Sequence, residues 1–204
     1  MKMNKNILLV IVTVVVIALV FIINNSIKKD NGLLSGKHYV EMSVKDYGKV
    51  TLELDADVAP ITVTNFMKLV DNKVYDGLNF HRIIKDFMVQ GGAATDIEDK
   101  ETIKGEFKAN GIENNISHVR GVISMARLSS DYNSASTQFF IVHQDSTFLD
   151  GNYAGFGNVI KGMDVIDKMA EVEVTDDNGT VKEGKEPVIE YIKKISESKA
   201  YSED

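Results

Sequence analysis

The 204-residue chain contains no cysteine. That excludes disulfides, and it excludes membrane attachment through a lipidated thiol. Its four histidines, His38, His81, His118 and His143, form neither an H-x-x-x-H nor an H-x-x-E-H pair, so a zinc site has little sequence support. No G-x-S-x-G elbow accompanies the serines, and a hydrolase triad would rest on common residue types alone. "GFGNVIKG" carries glycines without the G-x-G-x-x-G spacing or the P-loop lysine. Positive charge is scarce as well. Outside the four lysines of the first 29 residues, 19 bases face 30 acids, leaving residues 30–204 about 11 negative. Nucleic-acid-binding surfaces are usually basic, so that class is set aside. There is no internal repeat.

What the chain does have is one long apolar run, Ile7 to Ile23, in which Thr13 is the only polar residue. Seventeen helical residues span roughly 25 Å against a hydrocarbon core of about 30 Å, and Asn24 to Ile27 are placed to complete the crossing. Lys2 and Lys5 supply a basic start, but no A-x-A-like cleavage site follows. The reading is an uncleaved signal anchor over residues 1–27, with a cleaved signal as the alternative. A basic N-terminus usually stays in the cytoplasm, which puts the rest of the chain outside the cell membrane.

Residues 28–38 read as a polar linker. From Tyr39 the pattern becomes short strands. "YVEMSV" and "KVTLELD" alternate around the turn "KDYG" and predict a hairpin. Pro60 suits a first helical position, and Val63, Phe66, Met67 and Val70 make an apolar stripe at helical spacing. Strands follow in "FHRII", "FMVQGG", "GVISMA" and "TQFFIVH". "GFGNVIKGMDVIDKMAEV" reads as strand, glycine turn and a second helix with Val165, Ile166 and Met169 on its apolar face, and "PVIEYIKKISES" is a closing strand. Many short strands with two helices argue a mostly antiparallel barrel or sandwich over residues 39–196, with a polar tail at 197–204.

One feature of these strands is unusual. In "FHRIIKDFMVQGG", Arg82 sits in an apolar run with no acidic residue within three positions on either side. Period two puts Met88 and Gln90 on one face of the next strand. Taken singly, Arg82 is a surface charge and each neighbouring aromatic or methionine is core.

Four stretches in order, "FHRIIKDFMVQGG", "RGVISMAR", "STQFFIVH" and "FLDGNYAGFGNVIKGMDVID", resemble the cyclophilin family of peptidyl-prolyl cis–trans isomerases, and the segment "IKGEFKANGIENNISHVRGVISMAR" resembles bacterial members in particular. The resemblance spans Tyr39 to Ser196. It implies a closed eight-stranded antiparallel barrel capped by two helices, with a groove on its outer surface that takes proline-containing polypeptides and uses no cofactor or metal. It implies catalysis by Arg82 with Phe87 and Gln90. Met88, Phe140 and Leu149, together with Phe87, match the proline pocket, and Ala126, Arg127, Gln138, Phe148 and Tyr153 match other groove positions. Phe148 stands where many eukaryotic members have tryptophan, which implies weakened cyclosporin sensitivity, and Tyr153 stands where histidine is common. The function expected is a membrane-tethered, monomeric isomerase that assists exported or membrane-associated proteins. The alternative is a chaperone or scaffold of the same fold that binds proline segments without turning them over.

Overall fold

The computed structural model describes residues 32–94 and 101–203. The run Ile7–Ile23 lies outside the described residues, and among those described no helix is long and apolar enough to cross a membrane.

Strands β1 (Lys37–Val44) and β2 (Gly48–Asp55) form the first hairpin, with Asp46 in the left-handed region of its turn (φ 65°). Their alternation sends Val40, Met42, Val50, Leu52 and Leu54 into the interior. After helix α1 (Pro60–Asp71) come β3 (Arg82–Ile84), β4 (Met88–Gly91), β5 (Val122–Met125), β6 (Phe139–Val142), β7 (Gly155–Lys161), helix α2 (Met163–Met169), β8 (Ile189–Ile195) and a short helix α3 (Glu197–Ala200). All strand pairs are antiparallel, and the sheet order is β3-β4-β6-β5-β7-β2-β1-β8.

The sheet curls most of the way round without an eighth ladder to close it. The edges meet just before β3 and β8, through an Asn79–Val188 bridge and hydrogen bonds from Phe80 N–H to the Pro187 carbonyl (2.9 Å) and Ile189 N–H to the Leu78 carbonyl (2.8 Å). The expected closed barrel is therefore a partial one. The reason is local: the outer edge of β3 is occupied by the 174–181 hairpin, where Ile83 donates to the Gly179 carbonyl and Val181 to that of His81.

The predicted helix faces are buried as expected, Val63, Phe66, Met67 and Val70 on α1 and Val165, Ile166 and Met169 on α2. Ala59 gives α1 no side-chain cap. Its first amides are satisfied from 44 and 45 residues away by Glu106, 2% exposed, which accepts from Ile61 N–H (3.0 Å), Thr62 N–H (2.8 Å) and the Thr62 hydroxyl (2.7 Å). Beyond Ser196 the segment read as a polar tail begins as α3. Ala200 is buried there, and Tyr201 meets the Tyr39 ring edge-on at 5.8 Å.

The inner core of the barrel is aromatic, with Phe66, Tyr75, Phe80, Phe139 and Phe156 packed together. A second apolar cluster of Met88, Val122, Phe140, Val142 and Leu149 is separate from it. Its strand residues come from the opposite face of the same strands: on β6, Phe139 belongs to the inner core and Phe140 to the second cluster.

Glu41 on β1 faces Lys193 on β8, which bonds it at 2.9 Å, and accepts from the Tyr191 hydroxyl at 2.9 Å. Burial alone pushes its carboxyl upward, but the bonds from Lys193 and Tyr191 outweigh that and hold it at about 2. A depressed folded pKa contributes stability that is full above the ordinary glutamate range and disappears as pH falls toward 2. Wild type is expected to lose more urea resistance between about pH 6 and about pH 3 than Glu41→Gln does. Equal losses would mean that Glu41 does not govern acid sensitivity.

Candidate active site

The second apolar cluster underlies a cleft of about 130 Å³ lined by Arg82, Phe87, Met88, Gln90, Ala126, Arg127, Phe140, Leu149 and Tyr153. Nine of the eleven residues singled out from sequence thus converge. Gln138 lines the adjoining cleft with Gln90, Ala126, Arg127, Leu128, Ser134 and Ser136. Phe148 stands at the rim, 71% exposed, its ring 5.5 Å from that of Phe87.

Strand register explains the convergence. Arg82 is opposite Gln90 in the β3–β4 ladder, Gln90 opposite Phe140 in β4–β6, and Phe140 opposite Ser124 in β5–β6. Directly paired residues share a face, so these four form one transverse row. The 3₁₀ turn Thr147–Leu149 brings Leu149 in from the side, and Tyr153 meets Phe140 edge-on at 5.8 Å.

Among the described residues no carboxylate pairs with Arg82. Its guanidinium is held by neutral oxygens instead. Nε donates to the Asn178 carbonyl (2.9 Å), Nη2 to Asn178 Oδ1 (3.2 Å) and Nη1 to Gln90 Oε1 (3.1 Å). Gln90 Nε2 donates in turn to Gln138 Oε1 (2.9 Å). The charge is fixed in direction without being neutralised. Burial first, and then the charge of Arg82, push the neighbouring His81 below the usual histidine range, so Arg82 carries the positive charge here.

Arg127 is held differently. Its guanidinium lies 5.2, 4.9 and 4.6 Å from the ring centres of Phe107, Tyr132 and Tyr153, and Nε donates to the Asn152 carbonyl at 3.0 Å. It braces the Tyr153 wall of the cleft.

Sequence reading missed Asn178 and the hairpin that presents it. Asn178-Gly179 is a turn signal, but nothing local ties it to Arg82, 96 residues earlier. It also missed a series behind the cleft, Asp150–His118–Ser124, that runs from an exposed carboxylate to two buried side chains, with His118 Nδ1 2.8 Å from Asp150 Oδ1 and Nε2 3.0 Å from Ser124 Oγ. Among the described residues no three His, Cys, Asp or Glu side chains are grouped to hold a metal. Chemically, the site offers a ring-sized apolar cleft with a rigid cationic donor at its lip.

Comparison with known proteins bears on what such a site does. The chain matches the family described as cyclophilin type peptidyl-prolyl cis-trans isomerase/CLD over residues 39–193. It is 44% identical over 155 residues to a peptidyl-prolyl cis-trans isomerase of Acinetobacter baylyi, covering 69% of this chain and 79% of that one. Peptidyl-prolyl cis-trans isomerase A of Dickeya dadantii is 43% identical over 135 residues, covering 62% and 68%. A Cryptosporidium parvum cyclophilin type isomerase, solved in the presence of the dipeptide Ala-Pro, superimposes with a TM-score of 0.67 at 26% identity over 78% of this chain and 99% of that one. With the family pattern matched along most of its length, the chain belongs to the cyclophilin-type peptidyl-prolyl cis–trans isomerases.

Proposed function

We propose that Arg82 is the catalytic group of this isomerase, with Phe87 and Gln90 completing the catalytic set and the remaining cleft residues holding the peptide. The observation that carries this reading is a guanidinium fixed on two sides by neutral oxygens at the lip of an apolar cleft. An Xaa-Pro amide resists rotation by about 18–20 kcal/mol because nitrogen shares its lone pair with the carbonyl, and proline is the residue for which both isomers are populated. Catalysis needs the twisted amide to be bound more tightly than either planar form. As the bond twists, the lone pair returns to nitrogen and becomes an acceptor. The guanidinium donates to it, while Met88, Phe140 and Leu149 grip the ring and the acyl side turns. Exclusion of water by these walls and by Phe148 at the rim strengthens that bond. Ala126, Arg127, Gln138 and Tyr153 hold the flanking peptide. The Ala-Pro dipeptide present with the Cryptosporidium relative supports proline as the group gripped.

Isomer exchange on a short Xaa-Pro peptide, followed by NMR with the full chain, tests the reading. Faster exchange is expected. Peptide binding with exchange left at its background rate would assign the groove to capture alone, as in a scaffold. A hydrolase reading has a specific observation against it: Ser124 has no exposed surface, so no substrate carbonyl reaches its hydroxyl.

The support behind Arg82 has its own test. Gly179 holds φ +81°, and a Cβ there would collide with the Ile83 carbonyl oxygen. Gly179→Ala is expected to lift the hairpin from β3 and turn Asn178 away from Arg82. Because a 1 Å misplacement can cost roughly a hundredfold, kcat/KM should fall about tenfold or more in folded protein. Unchanged kinetics would mean that Arg82 is held without Asn178.

The apolar run Ile7–Ile23 is the basis for the remaining proposal, a single-pass anchor over residues 1–27 with the isomerase, acting as a monomer, on the extracytoplasmic side, where its clients are exported or membrane-associated proteins. Protease added to intact cells should then remove the domain. Protection until the membrane is opened would reverse the topology, and recovery from the medium would favour the cleaved form.

A further inference from the structure

Behind the cleft His118 is completely buried, and it touches two parts of the cleft wall at once. Its ring stacks on Phe140 with centroids 6.1 Å apart and planes 18° from parallel. Nε2 meets Ser124, the residue opposite Phe140 in the β5–β6 ladder. Nδ1 meets Asp150, which follows Leu149 directly in the chain. The backbone repeats the tie, since His118 N–H donates to Asp150 Oδ1 (2.7 Å) and Ser146 N–H donates to the His118 carbonyl (2.8 Å).

The proton positions follow from the partners. The Asp150 carboxylate only accepts: Oδ1 takes the His118 amide and ring, and Oδ2 takes the Ser117 hydroxyl at 2.6 Å. Nδ1 therefore carries the hydrogen, and Nε2 accepts the Ser124 hydroxyl. A neutral imidazole has one donor and one acceptor, and both are used across the gap between two walls.

We propose that His118 is a positioning residue for the isomerase reaction, clamping the Phe140 floor of the cleft to the turn that carries Leu149. The inference rests on the reading of Phe140 and Leu149 as the proline pocket. A loosened pocket lets the ring follow the rotating amide, so the effect falls on kcat more than on KM.

The protonation state of the ring provides a readout that packing alone would not move. Ser124 faces the ring from β5, Phe140 from β6 and Asp150 from the turn, so Asp150 is the ionisable group facing it among the described residues. Burial pushes the His118 pKa down. The Asp150 bond and charge pull it back only in part, and the net position is below the ordinary histidine range. Protonation would turn Nε2 into a donor against the buried Ser124 hydroxyl and force that hydroxyl to turn over. The neutral form is the working one, and activity should fall on acidification below the ordinary histidine range.

The test compares the full-length wild type with His118→Asn, which mimics Nδ1, and His118→Gln, which mimics Nε2. Exchange of an Xaa-Pro peptide is measured at saturating and limiting concentration across the acidic to neutral range, well below each melting midpoint. Both variants should lose about tenfold in kcat with KM nearly unchanged, and both should lack the acid limb of the wild type. In the wild type, kcat should fall along the same curve as the His118 ring signal in NMR. If the variants keep wild-type kcat, or if the acid limb persists without His118, the proposal is overturned. Should one variant fail to fold, the other variant and the wild-type titration decide it. A wild type that leaves exchange at background would instead remove the isomerase reading on which this rests, a result distinct from active wild type with unaffected variants.

Discussion

Arg82→Ala is expected to lower kcat/KM for Xaa-Pro exchange by roughly 10²–10³, or about 2.7–4 kcal/mol, the range for removing one preorganised donor. The melting temperature should hardly move, because the oxygens that Arg82 leaves on Asn178 and Gln90 are half-exposed at the groove and become hydrated. Arg82→Lys sharpens the result. Lysine restores the charge but not the fork that grips the Asn178 carbonyl, Asn178 Oδ1 and Gln90 together. It should therefore remain close to the alanine variant. A lysine variant near wild type would mean that charge, and not directed hydrogen bonding, drives the reaction. An alanine variant within about threefold of wild type would remove Arg82 from the chemistry altogether.

The largest expected effect on stability lies one residue before a cleft residue and on the other side of the sheet. Phe139 has no exposed surface and meets Phe66, Tyr75 and Phe80 edge-on at 5.7, 5.5 and 5.9 Å. Phe139→Ala leaves a cavity among rings that are themselves locked by α1 and the surrounding strands. The expected cost is about 3–5 kcal/mol, which lowers the midpoint by roughly 10 °C in a domain of this size. Calorimetry checks it. A loss under about 1 kcal/mol would mean that the aromatic core collapses onto the vacancy. Folded protein at low temperature should still catalyse exchange, since Phe140 and its neighbours belong to the other cluster.

The two predictions separate what alternation along a strand encodes. "TQFFIVH" announces a buried strand, and period two says that Phe139 and Phe140 face opposite ways. Which of them looks into the barrel depends on the pairing of β6 with β4 and β5, and that pairing is not local. The helix stripes on α1 and α2 were legible for the same reason, because burial on one face leaves a 3.6-residue period. The cap of α1 was not. Glu106 lies 44 residues beyond the Thr62 amide it accepts from, and no rule of spacing joins them. The open edge is illegible on similar grounds, since nothing near "FHRII" reveals that a distant hairpin occupies the free side of β3.

By itself the sequence determined the strand-rich class, the faces of two helices and, through four ordered motifs, the family and the eleven residues worth watching. It also marked Arg82 as a cation without a nearby acid. Tertiary structure alone decided how that cation is held: by Asn178 from 96 residues away, with Gln90 opposite it in the ladder, while His118, Ser124 and Asp150 lock the cleft from behind. The physical reason is one of range. Periodicity records which side of an element meets water, a property each segment carries alone. Hydrogen-bond partners across a barrel exist only once the chain has closed, and any Asn, Asp or His elsewhere could have filled those places.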